Sequence, residues 1–214
     1  MAATRVLLAI GQRLYREALR DAIAQRLGVD VVGEAGDGRE TLLQARDLSP
    51  DLVILQAGLK ELNGAETIRQ LHLENPDLPV IAMSVHSDYP LVMRVLKAGA
   101  RAFILTDGGL DELQRAVQAS LEGRVYLSPG LEATIARSLG ESSSTESEIL
   151  THREIEVLQL LAEGKSTKRV AETLTVSTKT VETHRLHIMA KLRLYSIAEL
   201  TKYAIRQGIT TVAN

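Results

Sequence analysis

The chain has no cysteine and no tryptophan, and only one phenylalanine among its 214 residues. Without thiols it forms no disulfide, no thiolate metal site and no cysteine nucleophile, which suits a reducing compartment. Long apolar runs are missing as well. The N-terminal run Val6–Ile10 is five residues long and lacks the layout of a cleavable signal, and nothing approaches the ~20 apolar residues that span a bilayer. A soluble cytoplasmic protein without a membrane partner is expected. Aromatics make up 3% of the chain but apolar residues 45%, so the cores should be aliphatic, built from Leu, Ile, Val and Ala.

What is present is unevenly charged. Met1–Ile149 carries 15 Lys/Arg against 21 Asp/Glu, a formal −6, whereas Leu150–Asn214 carries 10 against 6, a formal +4. One half repels polyanions and the other attracts them. From Thr4 to Gly123, short β-branched runs at Arg5–Ile10, Asp30–Glu34, Leu52–Gln56, Val80–Ser84 and Ala102–Leu105 read as buried strands. Amphipathic stretches near Tyr15–Arg26, Arg39–Leu48, Gly64–Glu74, Tyr89–Ala98 and Leu110–Leu121 read as helices between and after them. Strict βα alternation implies an α/β fold: a flavodoxin-like, doubly wound, five-stranded parallel sheet with helices on both faces.

After Tyr126-Leu127-Ser128-Pro129 a short helical pattern, Leu131–Leu139, leads into the Ser/Glu-rich run Gly140–Ser147. That run has nothing to bury and reads as a flexible tether. Beyond it the pattern is all helical. Thr151-His152-Arg153-Glu154 and Ser196-Ile197-Ala198-Glu199 have the capping-box form and mark the first and last of four helices.

Between them lies Ser166–Leu174, the turn Thr175-Val176-Ser177, and a helix from Thr178 to about Leu192. Val170, Leu174, Val176 and Val181 supply an apolar crossing, Ala171 a close one, and Ser177 an N-cap. If Val181, Ile188 and Leu192 point inward, then Lys179, Glu182, Thr183, Leu186 and His187 share the outer face. On double-stranded DNA, Lys179, Arg185 and Lys191 offer charge to phosphates, and Glu182 could accept from a cytosine amino group. The methyl groups of Thr183 or Leu186 could pack on thymine. The alternative for the same residues is a solvated basic helix face.

The run Leu150-Thr151-x-Arg153-Glu154-x-Glu156-Val157-Leu158-x-Leu160-Leu161-Ala162-x-Gly164-x-Ser166, with Lys179-Thr180-Val181-x-Thr183-His184 and Lys191-Leu192, closely resembles the LuxR-type helix-turn-helix domain. The resemblance covers Leu150–Ile209. It implies that the helix starting at Ser177 is the recognition helix, with Thr180 and His184 among its DNA-facing residues. It also implies that the last helix, Ile197–Arg206, forms a homodimer contact, and that half-sites lie about one helical turn apart.

The N-terminal half resembles a response-regulator receiver of the NarL/FixJ type over about Thr4–Gly123. Its cues are Arg5-Val6-Leu7-Leu8-Ala9, Arg16-Glu17-x-Leu19, Val32-Gly33-Glu34-Ala35-x-Asp37-Gly38, Pro50–Leu55, Leu62-Asn63-Gly64 and Leu96-x-Ala98-Gly99-Ala100. The resemblance implies phosphoryl transfer to one aspartate beside a Mg²⁺ held by acidic oxygens, sensed by a lysine and a hydroxyl. This sequence departs from that pattern. The acidic pair is Ile10-Gly11, the phosphoacceptor is Gln56 and the lysine is Thr106; Ser84 keeps the hydroxyl position and Phe103 stands as the switch aromatic. An amide does not accept phosphate this way, and Ile10-Gly11 does not hold Mg²⁺. Asp51 sits at the wrong end of its strand, and Asp107 reads as a loop or capping carboxylate.

No aspartyl phosphorylation is therefore expected, and no catalytic residue, metal or cofactor. Two uses of such a pseudo-receiver stay open: a dimerisation or protein-docking scaffold, and a small-ligand sensor at the crevice of the strand ends, on which Ile10, Gly11, Gln56, Ser84 and Thr106 should converge. The domains read as residues 1–124 (degenerate receiver), 125–148 (linker with short helix and tether) and 149–214 (DNA-binding). His72 and His86 are lone histidines; His184 and His187 have metal-compatible spacing but fit a groove-facing role better. The Gly33–Gly38 run matches neither nucleotide-loop spacing. A regulator acting by protein contact alone is the rival function.

Overall fold

A computed structural model describes residues 3–131, 135 and 150–210. The chain divides into two compact units, Met1–Glu141 and Ser142–Asn214. The first is a parallel sheet of β1 (Arg5–Ala9), β2 (Asp30–Ala35), β3 (Leu52–Gln56), β4 (Val80–Ser84), β5 (Ala102–Leu105) and β6 (Tyr126–Leu127), in the order β2-β1-β3-β4-β5-β6. Helices α1 (Arg13–Leu27), α2 (Gly38–Leu48), α3 (Gly64–Glu74), α4 (Tyr89–Lys97) and α5 (Gly109–Leu121) connect the strands.

Strand alternation sorts the side chains into two cores. Leu7, Ala9, Val53, Leu55, Ala82 and Phe103 face α2, α3 and α4 and pack with Leu42, Ile68, Val92 and Val95. Val6, Leu8, Ile10, Ile54, Ile81 and Ile104 face α1 and α5 and pack with Leu19, Ile23, Leu113 and Val117. A sheet buried on both faces needs apolar residues at both parities, which is why these strands are unbroken apolar runs. Full burial of each Val, Leu, Ile or Phe side chain among them contributes about 1.5–3 kcal/mol. Phe103 is fully enclosed.

The sheet has six strands, not the expected five. β6 pairs in parallel with β5 through Ala102↔Tyr126 and Phe103↔Leu127, and two residues are too few to carry a period-2 signal. Leu131, 1% exposed, also packs in the core with Phe103. Residues 126–131, read as the start of the linker, therefore belong to the first unit. Leu131 and Ile135 are helical; the rest of the expected 131–139 helix and the tether 140–147 lie outside the described residues.

Asp37 and Asn63 cap α2 and α3 by accepting from the Glu40 and Glu66 N–H groups. The first turn of α2 is pressed against the β3–α3 loop. A Cβ on Gly38 would overlap the Leu62 carbonyl and the Thr67 hydroxyl. His72 is a packed residue: its ring lies where a Gly99 Cβ would project, and its Nε2–H donates to the Leu78 carbonyl at 2.8 Å.

The second unit is α6 (His152–Ala162), α7 (Thr167–Leu174), α8 (Thr178–Leu192) and α9 (Ile197–Arg206). Val157, Leu158, Val170, Val181, Ile188 and Leu200 are all buried in one core. Both capping boxes form, at Thr151/Glu154 and Ser196/Glu199. None of the described helices is long and apolar enough to cross a membrane.

Gly38→Ala is expected to lower stability by about 2–3 kcal/mol, since backbone rather than a flexible side-chain tip must move. Urea unfolding should show the loss as a lower midpoint at unchanged slope.

Candidate functional site

The turn between α7 and α8 is built from strain and caps. Thr175 adopts a left-handed conformation, φ 54° and ψ 47°, which costs a β-branched residue about 1–2 kcal/mol. The strain is offset locally: the Val176 N–H donates to the Ala171 carbonyl at 3.0 Å, and Val176 packs against the core. Ser177 then caps α8, accepting from the Thr180 N–H at 3.0 Å. From the far side, the Arg153 guanidinium donates to the Leu174 carbonyl at 2.8 Å and pairs with Glu156 at 2.6 Å. Together these fix how α8 leaves α7.

On α8, Val181 and Ile188 are buried and Leu192 is half-buried. Lys179, Glu182, Thr183, Leu186 and His187 are exposed together, Leu186 at 64%. Thr180, His184 and Arg185 flank them, half-buried. The Thr183 hydroxyl donates to the Lys179 carbonyl at 3.0 Å, leaving its methyl as the distinctive outward group.

Lys191 has a different duty. Its Nζ donates to Glu154 Oε2 at 2.7 Å, tying the end of α8 to the start of α6. The same carboxylate accepts from the Thr151 N–H at 2.7 Å and from its hydroxyl at 3.0 Å. Burial pushes the Glu154 carboxyl up, but the bonds from Lys191 and Thr151 outweigh it and hold the group below the usual carboxylate range. Sequence spacing gave no hint of this pairing, because it joins residues 37 apart.

In the first unit, the altered receiver positions lie at the C-terminal edge of the sheet. Gln56 ends β3, and its Oε1 accepts from the Gly11 N–H at 3.2 Å. Ser84 ends β4; its hydroxyl accepts from the His86 N–H at 2.9 Å, and its carbonyl accepts from the Thr106 N–H at 2.9 Å. The expected convergence of Ile10, Gly11, Gln56, Ser84 and Thr106 on one crevice needs correction. The Ile10 side chain turns into the α1/α5 core because it shares the parity of Val6 and Leu8. Thr106 lines a cavity between α1 and α5.

One cation at this edge was not anticipated. The Arg16 guanidinium donates to the Ile10 carbonyl through Nη1 and to Glu34 Oε2 through Nε at 3.2 Å. Glu34 is further paired with Arg20 at 2.8 Å. In the sequence Arg16 is only part of the Arg16-Glu17-x-Leu19 motif; its partners lie just after β1 and on β2. The groups at the edge are thus an amide, a hydroxyl, carbonyls and a guanidinium, with the one carboxylate, Glu34, already paired to Arg16 and Arg20, and the set does not fit a divalent cation. Among the described residues no cluster of three or more His, Asp or Glu could hold a metal. Asp51 accepts from the Arg5 N–H at 2.8 Å at the opposite end of the sheet, and Asp107 is exposed.

Comparison with known proteins agrees with this architecture. Residues 6–118 match the family described as Response regulator receiver domain, and residues 148–204 match Bacterial regulatory proteins, luxR family. The chain therefore belongs to the response regulators with a luxR-type C-terminal domain. It is 32% identical to Response regulator GacA of Pseudomonas protegens over 206 residues, covering 96% of this chain and 97% of that protein. It is 35% identical to a putative transcriptional regulator of Pseudomonas aeruginosa over 206 residues, covering 96% and 99%. Among solved structures, RcsB from Salmonella enterica serovar Typhimurium, bound to promoter rprA with the phosphomimetic BeF3−, shares the fold. Its TM-score is 0.64 at 23% identity, over 94% of this chain and 98% of that one.

Because the folded-state pKa of Glu154 lies below its unfolded value, its contribution is fully present above about pH 4.5 and is lost as pH falls through the lower, folded value. Glu154→Gln is expected to cost about 2 kcal/mol at neutral pH. The cost should shrink towards zero as pH drops below the folded-state value, measured by chemical denaturation of the full chain across pH.

Proposed function

We propose that this chain is a sequence-specific, DNA-binding transcription regulator of the cytoplasm whose receiver works without aspartyl phosphorylation. The observation that carries the DNA half is the outer face of α8, where Lys179, Glu182, Thr183, Leu186 and His187 are exposed together on the unit of positive formal charge. A buried set of Val181 and Ile188 holds that face outward. Leu186 offers that face an apolar group that a thymine methyl could cover. RcsB, which has the same fold and was solved bound to a promoter, supports the same reading. In this reading Lys179 and Arg185 contact phosphates, Thr180 and His184 flank the groove, and Lys191 serves mainly to brace α8.

Two copies are expected to act together, each on one half-site. Ile197 and Ile205, both partly exposed on one side of α9, support a pairing surface there. The proposed division is a pseudo-receiver at 1–124, extended by β6 and Leu131 to residue 131, a linker from there to 148 and the DNA-binding domain at 149–214. The chain in this reading binds rather than catalyses.

The phosphorylation-independent half rests on chemistry. Gln56 is an amide with its oxygen already accepting from Gly11, and the Arg16 guanidinium faces the carbonyl where a metal ligand would be needed. A phosphoryl group has neither nucleophile nor counter-cation site. Phe103, enclosed in the core, has no neighbouring phosphorylation event to report.

In electrophoretic shifts with genomic promoter fragments, the full-length protein should retard a specific subset, with affinity falling steeply as salt rises. Lys179→Ala should weaken all fragments alike and reduce the salt slope by about one, whereas Leu186→Ala should cost about 1–3 kcal/mol on the specific fragments alone. Absence of any specific shift would favour a regulator working by protein contact. Acetyl phosphate with Mg²⁺ should leave the mass of the chain unchanged. Gln56→Asp alone should not restore labelling, because the cation site is missing too; a hydroxylamine-sensitive adduct on the unaltered chain would overturn the reading.

A further inference from the structure

The wall between α1 and α5 is incomplete at the C-terminal ends of β4 and β5. Small residues cause the gap: Ala18 and Ala22 on α1 face Gly109 at the start of α5. Met83 and Ile104 form the floor, and Leu110 and Leu113 close the α5 side. The result is a cavity of about 270 Å³. At its rim stand the exposed Tyr15 and the half-buried Thr106, the residue that replaces the receiver lysine. Neither side chain makes a hydrogen bond to the described residues. No side chain that is charged at neutral pH lines the cavity, and burial pushes the Tyr15 phenol up, keeping it protonated.

The geometry points to a binding site here for a small, uncharged, mainly apolar molecule, of the size of two fused rings, carrying one hydroxyl or carbonyl. Size sets the body: a 150 Å³ apolar cavity accepts benzene, so this one holds roughly a two-ring skeleton. Lining chemistry sets the charge, since an ion would lose its hydration with no counter-charge in return. The two hydroxyls at the rim set the polar edge, in the usual pattern of an apolar pocket with a few convergent polar groups. A second copy of the chain is the wrong occupant. A helix about 10–12 Å across does not enter such a cavity and could only lie over its mouth.

The pocket also touches the end of β5 and the Thr106 that follows it. The Thr106 N–H is bonded to the Ser84 carbonyl, and the preceding Leu105 N–H to the Ser128 hydroxyl at 2.7 Å, which in turn donates to the buried Glu112. A molecule seated on Leu105 and Thr106 therefore bears on the segment by which the chain leaves the sheet. This site stands independently of how the second unit reads DNA.

The test uses the full-length protein and 2-naphthol, a neutral two-ring probe with one hydroxyl, followed by its own fluorescence and by calorimetry. Saturable one-site binding with a dissociation constant on the order of 100 μM is expected. Ala22→Leu, which fills the cavity with a good helix former, should weaken binding about tenfold or more while the melting temperature holds or rises. Ala18→Leu gives the same test should Ala22→Leu fail to fold, and Thr106→Val should weaken binding about threefold to tenfold by removing only the hydroxyl. Non-saturable uptake, or equal affinity in the unaltered, Ala22→Leu and Ala18→Leu proteins, would overturn the proposal. So would a sedimentation result in which these variants abolish self-association but leave probe binding intact.

Discussion

A parallel sheet with helices on both faces must reverse its direction of winding somewhere, and here it does so between β1 and β3. At that point the connections leave to opposite faces, so the strand ends are not roofed by a single helix and a crevice is unavoidable. Everything particular to the first unit follows from how that crevice is furnished. In this chain the gap between β1 and β3 is bridged by the Gln56 amide on the Gly11 N–H, and its flank is occupied by the Arg16 guanidinium. Protein groups satisfy one another across the opening.

The second unit depends on polar contacts of a different kind. A small helical unit has a limited core, and its four helices rely on capping side chains to satisfy their terminal N–H groups. Thr151, Ser166, Ser177 and Ser196 each perform that service. Glu154 does two things at once, closing the capping box of α6 and holding Lys191 at the far end of α8. The orientation of the exposed face of α8 is thus set by apolar residues beneath it, by Arg153 at its entrance and by Glu154 at its exit.

Much of this was legible in the order of residues. Unbroken apolar runs gave β3, β4 and β5 their observed limits, and the apolar spacing of Gly64–Glu74 gave that helix both its ends. Both capping boxes and the Ser177 cap were visible as local patterns. What escaped were features assembled across distance or from very little. β6 is two residues long, the Arg16 and Lys191 contacts join separate elements, and the α1/α5 cavity arises from alanines and a glycine that carry no signal of their own. Ile10 was assigned to the crevice by position, but strand parity sends its side chain to the core.

Lys191 sits on α8 as a cation whose charge is already matched inside the fold, by the Glu154 carboxylate at 2.7 Å. A group so paired releases few counterions of its own when a polyanion approaches. A tally of the cations along α8 therefore overstates by one the charge that helix can offer outward without giving up a contact that braces it.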